Sequence, residues 1–223
     1  MDRALTNAIV ALVAMIVVAA AGIGIGWGFG TTVPNSSPSG AETISRQPIT
    51  MAGSNMYTLQ LIEPMNSEWN STMAQPKFYV VGPGGLESSS NITLPLNTTI
   101  QVMIVSYDTP TPGSTDSMGV VTGTVGNAVY MINGTSASMG PMPEPWGQNV
   151  TSVPGAQLAH TFTIPGLGVN IPVVGGDTEI AYLYLTKAGT YTWFCQTPCG
   201  LGADGLGGAM STGGWMTGSV TIG

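Results

Sequence analysis

Five sulfur and nitrogen side chains near the C-terminus have the types and spacing of metal ligands. His160 is the single histidine of the 223 residues, and Cys195 and Cys199 are the two cysteines. Met210 and Met216 follow them. Imidazole, thiolate and thioether groups are the ligands of a soft, redox-active metal, above all copper. The pattern predicts a candidate copper site with His160, Cys195, Cys199 and Met216 as ligands, and with Met210 as the rival of Met216.

The sequence around these residues predicts short strands that bring them together. His160 lies in the run LAHTFTIP, Cys195 ends the run TYTWFC, and Met216 directly precedes the run TGSVTI. β-Branched and aromatic residues bounded by Gly and Pro are typical of strands. In a β-sandwich, the loop that joins two such strands closes over one end, where it can gather ligands that are distant in sequence around one ion.

Each candidate ligand also has a plainer explanation. Cys195 and Cys199 can form a disulfide in an oxidising compartment, and this alternative stays open. His160 alone can be an ordinary core or surface histidine. Most of the thirteen methionines must serve packing. Two thiolates on a copper ion that cycles to Cu(II) also risk oxidation to a disulfide.

The order of these motifs resembles the cupredoxin domain of subunit II of heme-copper terminal oxidases. The resemblance covers about the last third of the chain: a histidine before an aromatic, a PGLG turn, the approach AGTY, then C-x-x-x-C-G. It implies an all-β, cupredoxin-like Greek-key β-sandwich. By the same resemblance, His160, Cys195, Cys199 and Met216 fall on copper ligands, and Thr197 falls on the residue that lends its carbonyl.

One ligand of that family's binuclear copper centre is missing from this chain. The resemblance places a second histidine four residues after Cys199, where this sequence has Ala203. Two coppers bridged by Cys195 and Cys199 each need a terminal imidazole, and only His160 is available. We therefore expect at most one copper ion, or none if the two cysteines form a disulfide.

The composition and the absence of several motifs argue against some classes of partner and activity. Charged residues make up 7% of the chain, with four Lys and Arg against eleven Asp and Glu, and the net charge is −7. Nucleic acid is therefore not an expected partner, because binding it needs clustered basic residues. An acidic external environment would neutralise most of the carboxylates. A single histidine and the absence of a G-x-S-x-G elbow argue against a hydrolase, and no dinucleotide-binding motif occurs.

The N-terminal segment predicts a membrane anchor. Residues 4–29 carry no charge and are long enough to span a hydrocarbon core of about 30 Å as a helix. We expect residues 1–30 to be an uncleaved transmembrane anchor rather than a signal peptide, and the Pro- and Ser-rich residues 31–48 to be a linker. The lone Arg3 favours a cytoplasmic N-terminus, which places residues 49–223 outside the cell as one cupredoxin-like domain.

The external domain shows strand patterns and possible sites of modification. No helical period follows the anchor, and the segment between Gly126 and Gln157 is predicted to be a surface excursion. No obvious counterpart is found for the run of Trp and Tyr that precedes the copper loop in relatives that accept electrons from a soluble donor. Six N-x-Ser/Thr sequons predict glycosylation, at Asn35, Asn70, Asn91, Asn97, Asn133 and Asn149.

The resemblance implies a role in a respiratory complex. The chain would be subunit II of a membrane terminal oxidase that reduces dioxygen, with heme in a partner, the catalytic subunit I, and with lipid around the anchor. The incomplete copper site favours electrons from a membrane quinol. The alternatives are a copper-containing subunit fed by an external donor, a pilin-like glycosylated surface filament, and a stand-alone blue copper carrier, which would need a second histidine.

Overall fold

The fold is known from a computed structural model, which describes residues 50–51, 54–65, 67–70, 73–132 and 147–223. Within them the chain forms strands and five short 3-10 turns, at Asp116–Gly119, Val125–Asn127, Gly155–Gln157, Pro165–Leu167 and Gly208–Ser211. The strands are β1 (Thr50–Met51), β2 (Ser54–Glu63), β3 (Ser67–Asn70), β4 (Met73–Gln75), β5 (Tyr79–Gly82), β6 (Gly85–Ser88), β7 (Asn91–Leu94), β8 (Thr99–Ser106), β9 (Val129–Ile132), β10 (Gln148–Val150), β11 (Leu158–Ile164), β12 (Val169–Val174), β13 (Thr178–Tyr184), β14 (Gly189–Phe194) and β15 (Thr217–Ile222).

The strands form a two-sheet sandwich. The larger sheet has the order β10-β9-β13-β8-β2-β5-β6, with β1 paired to β2, and the second sheet has the order β12-β11-β14-β15-β7. The chain crosses repeatedly from one sheet to the other, so that β12 and β13, consecutive in sequence, lie in different sheets. A small β3–β4 hairpin stands apart from both. The all-β sandwich predicted from the sequence is confirmed.

Alternating side chains on the strands build the core between the sheets. On β8 every second residue is buried, and on β11 and β12 every residue is buried. Trp193, Phe78 and Phe162 are the largest fully buried side chains of the described residues, and their rings pack against one another. The site strands β11 and β14 therefore both contribute a ring to this buried aromatic cluster, Phe162 and Trp193.

Two predictions about the rest of the chain have different outcomes. The predicted anchor at residues 1–30 and the linker at 31–48 lie outside the described residues, and none of the described residues form a helix long and apolar enough to cross a membrane. The excursion predicted after Gly126 is wrong in part, because β9 and β10 extend the larger sheet within it. Val129 and Met131 alternate into the core, and this burial places β9 in the sheet.

The sequons within the described residues lie at the surface. Asn70, Asn91, Asn97 and Asn149 are all exposed. Asn35 and Asn133 lie outside the described residues. Exposure is what an oligosaccharide requires, and glycosylation stays a prediction.

Candidate metal centre

The second sheet places the sole histidine and the first cysteine side by side. His160 lies on β11, and Cys195 directly follows β14, which pairs with β11 through Thr163 and Phe194. Both side chains are fully buried. His160 Nδ1 lies 3.9 Å from Cys195 Sγ, and the backbone N–H of Thr161 donates to that sulfur at 3.4 Å. The predicted meeting of His160 with the cysteine loop is present in the structure.

The loop after β14 brings in the second thiol and a thioether. Cys199 Sγ lies 3.6 Å from Cys195 Sγ, and the two cysteines form no disulfide. Met210, in the last 3-10 turn, places its Sδ 3.3 Å from Cys199 Sγ. Met216 is fully buried, and its carbonyl accepts a hydrogen bond from the Cys195 N–H at 2.9 Å, which closes the base of the loop. The thioether in contact with Cys199 is that of Met210, and Met216 contacts Cys195 through its backbone carbonyl.

Of the two loop residues that the resemblance singles out, Thr197 lies beside the Cys195 sulfur and Ala203 does not lie in the buried site. Thr197 is fully buried, its Oγ1 lies 3.1 Å from Cys195 Sγ, and its carbonyl lies 3.8 Å from the same sulfur. That carbonyl also accepts the N–H of Cys199 at 2.8 Å. Ala203, where the resemblance would put a second imidazole, is exposed on the outer part of the loop. Gly200 has no room for a side chain, because a Cβ there would meet the Gly207 carbonyl and Met210 Cγ.

A buried polar network anchors the residue next to Cys195. The Gln196 N–H donates to Thr161 Oγ1 at 2.8 Å, and its side-chain amide donates to Asn170 Oδ1 at 2.9 Å. Asn170 in turn donates to the carbonyls of Met118 and Val120. These bonds fix the start of the loop between β14 and β15, which carries Cys199 and Met210, to β11 and β12. Such support keeps ligand positions fixed when a metal changes oxidation state.

The pKa values of the two cysteines are shifted in opposite directions. Burial alone would raise the pKa of Cys195, but the hydrogen bond from the Cys199 thiol and the neighbouring His160 hold it well below its usual range. The hydrogen bond to Cys195, together with burial, raises the pKa of Cys199 well above its usual range. These directions favour a Cys195 thiolate that accepts a hydrogen bond from the protonated Cys199 thiol. A thiolate is the form of cysteine that binds metal.

Two carboxylates lie behind the histidine, on the side away from the thiols. His160 Nε2 lies 3.1 Å from Asp108 Oδ2 and 3.9 Å from Glu63 Oε2. Burial would lower the pKa of His160, but the hydrogen bond to Asp108 and the Cys195 thiolate outweigh burial and raise it to about 10. Burial raises the pKa of Glu63 to about 7. For Asp108, the hydrogen bond to His160 overcomes the opposing effect of burial and lowers the pKa.

Neither carboxylate was recognised from the sequence, although a signal for one was present. Glu63 continues the alternation of buried Leu59 and Leu61 on β2, so its position predicts burial. A buried glutamate in an apolar strand is unusual unless it has a partner. Asp108 gave no comparable signal, because its approach to His160 depends on how β8 pairs with β2 and β13.

Three of the separations between the donor atoms lie close to those around a soft, four-coordinate ion. A tetrahedral d¹⁰ ion with bonds of about 2.1–2.3 Å separates its ligand atoms by roughly 3.4–3.8 Å. The measured separations from His160 Nδ1 to Cys195, from Cys195 to Cys199, and from Cys199 to Met210 are 3.9, 3.6 and 3.3 Å. With one imidazole, two thiols and one thioether, this set matches Cu(I) better than Cu(II).

Comparison with known proteins gives structural matches only, since no family model and no curated protein sequence matches this chain. A chain of a heme-copper terminal oxidase dimer is 17% identical, with 99% of this chain and 97% of that chain covered and a TM-score of 0.37. The periplasmic domain of subunit II of cytochrome oxidase from Bradyrhizobium japonicum is 11% identical, with coverages of 78% and 87% and a TM-score of 0.32. The copper protein rusticyanin is 15% identical, with coverages of 78% and 85% and a TM-score of 0.29. Because these TM-scores are below 0.5, the interpretation of the site rests on this chain's own residues.

Proposed function

We propose that this chain is the subunit II of a membrane terminal oxidase that reduces dioxygen, and that its external cupredoxin-like domain holds at most one copper ion. The observation that carries this proposal is the meeting of His160, Cys195 and Cys199 at the end of a β-sandwich, with Met210 Sδ beside Cys199 Sγ. The heme belongs to a partner, the catalytic subunit I, and the predicted anchor at residues 1–30 brings the domain to that partner.

Within such a site the protein's residues have separate tasks. Bound copper supplies one-electron transfer. The Cys195 thiolate and His160 Nδ1 supply the charge and the imidazole that hold it, and Asp108 fixes the ring by accepting from Nε2. Burial of His160, Cys195 and Thr197 excludes water from the ligands. The Cys199 thiol, which donates a hydrogen bond to Cys195 Sγ, must lose its proton before both sulfurs can bind a metal ion.

The donor that fits this site best is a membrane quinol. A second imidazole is missing, and Ala203, where one would be needed, points into solvent on an exposed loop. A centre with one imidazole and two thiolates favours Cu(I) and is poorly matched to rapid cycling with Cu(II). We infer that the domain caps the catalytic subunit and that electrons reach the heme through the membrane.

An external donor is the second candidate, and one surface feature favours it. Trp69 and Trp215 form an edge-to-face pair with ring centroids 4.5 Å apart, and Lys77 Nζ lies 4.9 Å from the Trp215 ring and 4.5 Å from the Tyr79 ring. Trp215 directly precedes Met216. The sequence had shown no aromatic run, because these rings come from separate segments. Partly exposed rings near a copper loop are the feature that a soluble donor would use.

Oxygen consumption by the purified complex separates these candidates. The complex carrying this chain is isolated in mild detergent, and a heme-bearing large subunit is expected to copurify; recovery of a homopolymer without heme would instead favour the filament. With quinol as donor, the double variant Cys195→Ser/Cys199→Ser is expected to retain near-normal turnover. A loss of about a hundredfold in fully assembled complex, roughly 3 kcal/mol in barrier, would show that the domain is an obligatory relay.

A further inference from the structure

The carboxylate side of His160 has the features of a second metal site. His160 Nε2, Asp108 Oδ2 and a Glu63 oxygen all lie within 4.8 Å of one another. The thiols lie on the opposite edge of the same ring, at Nδ1. Orienting the imidazole needs only one carboxylate, and Asp108 at 3.1 Å already supplies it. Glu63 is therefore left without a role in the thiol-side site.

Glu63 is also poorly satisfied where it lies. Its side chain is fully buried, Ser106 Oγ donates to Oε2 at 3.1 Å, and Oε1 has no hydrogen-bond partner. A buried, ionised carboxylate with an unpaired oxygen, beside a second carboxylate, carries a large free-energy cost unless a proton or a bound cation neutralises it. Among the described residues, the basic group within ion-pair distance of these two carboxylates is His160, which already bonds Asp108.

We propose that His160 Nε2, Glu63 and Asp108 form a second site, for a divalent cation of the Zn²⁺ class. One imidazole and two carboxylates are a borderline-to-hard set, unlike the sulfur-rich set across the ring. Three protein ligands leave a position for water. The Asp108 side chain is 22% exposed, so an ion can reach the site from solvent.

The two sites share one imidazole ring. When the cation binds in the absence of copper, the proton on Nε2 leaves the ring to solvent, Nδ1 keeps the remaining ring proton, and Asp108 changes from hydrogen-bond acceptor to metal ligand. His160 Nδ1 stays directed at Cys195. This inference shares His160 and Asp108 with the copper site of the proposed function, so its test uses a protein without the thiols, in which a failure of the carboxylate site is distinguishable from a failure of the copper site.

Metal titration of the full-length chain tests the proposal. In the background Cys195→Ser/Cys199→Ser, which removes the thiols, Co²⁺ serves as a visible probe and Zn²⁺ as its competitor. We expect one Co²⁺ per chain, with an absorption spectrum of nitrogen and oxygen ligation, and displacement by one equivalent of Zn²⁺. Glu63→Gln in the same background is expected to raise the dissociation constant about tenfold or more.

Matched variants decide the outcome. Glu68→Gln removes an exposed glutamate elsewhere on the surface and is expected to leave Co²⁺ binding unchanged. Asp108→Asn, at a partly exposed position, is a second ligand variant if Glu63→Gln disturbs folding, which near-ultraviolet circular dichroism reports. Equal Co²⁺ affinity in the Glu63→Gln, Asp108→Asn and Glu68→Gln proteins, or no binding in the parent, would show that the buried carboxylates hold no metal.

Discussion

Replacing Cys195 by serine is expected to abolish tight copper binding by this chain. The Cys195 sulfur is central to the site, 3.9 Å from His160 Nδ1 and 3.6 Å from Cys199 Sγ, and it is the sulfur held as a thiolate. Changes outside the ligand shell already cost 10–100-fold in metal affinity, so loss of this ligand should cost at least about 100-fold. Competition with a chromophoric Cu(I) chelator, without oxygen, measures the change.

A pair of methionine variants provides the control and identifies the thioether ligand. Met→Leu conserves volume, so each variant tests the sulfur rather than packing. Met210→Leu, which removes the Sδ that lies 3.3 Å from Cys199, is expected to weaken Cu(I) binding by about tenfold, the effect of a weak ligand. Met216→Leu should leave the affinity nearly unchanged. The reverse order would assign the ligand to Met216, and an unaltered affinity in Cys195→Ser would place the copper elsewhere.

The second large effect is a pH dependence of stability that originates at Glu63. Burial raises its pKa from 4.5 to about 7, so the folded state binds this proton more tightly than the unfolded state does. The stabilisation is complete below pH 4.5 and is lost as the pH rises through 7. A shift of this size corresponds to about 3 kcal/mol. The free energy of unfolding of Glu63→Gln, taken relative to that of wild type, should therefore increase by roughly that amount as the pH rises from 4.5 to 8.

Chemical denaturation of the metal-free full-length protein at several pH values measures this difference. His160 and Cys195 ionise as a pair in both proteins, and their contribution largely cancels in the comparison. Glu68→Gln, which alters an exposed glutamate, serves as the control and should follow wild type at every pH. A free-energy difference between Glu63→Gln and wild type that stays constant from pH 4.5 to 8 would rule out a buried, proton-binding Glu63.

Local sequence patterns predicted the fold and the approach of His160 to the two cysteines. β-Branched and aromatic residues bounded by Gly and Pro predicted the strands that contain His160 and precede Cys195, and β11 is buried along its whole length. The choice between Met210 and Met216 could not be made in this way. It depends on the 3-10 turn at Gly208–Ser211, which folds Met210 back onto Cys199, and on the backbone bond that Met216 makes to Cys195.

The carboxylate half of the site depends on non-local pairing. β2 runs parallel to β8, with Glu63 opposite Ser106, and this register brings Glu63 and Asp108 to the same end of the sheet behind His160. No residue near Asp108 in the sequence indicates that Asp108 lies beside His160 and Glu63. The contact of Trp69 with Trp215 is likewise a product of the folded chain, since the two rings come from β3 and from the loop before β15.

Copper content and ligation of the wild-type full-length chain test the central claim most directly. The chain is loaded with excess Cu(I), freed of weakly bound metal, and examined by metal analysis, X-ray absorption and electron paramagnetic resonance after oxidation. Our account predicts one copper per chain, bound by sulfur from Cys195, Cys199 and Met210 and by nitrogen from His160. Two coppers per chain with a seven-line mixed-valence spectrum, or no copper together with a Cys195–Cys199 disulfide in the reduced and loaded protein, would contradict it.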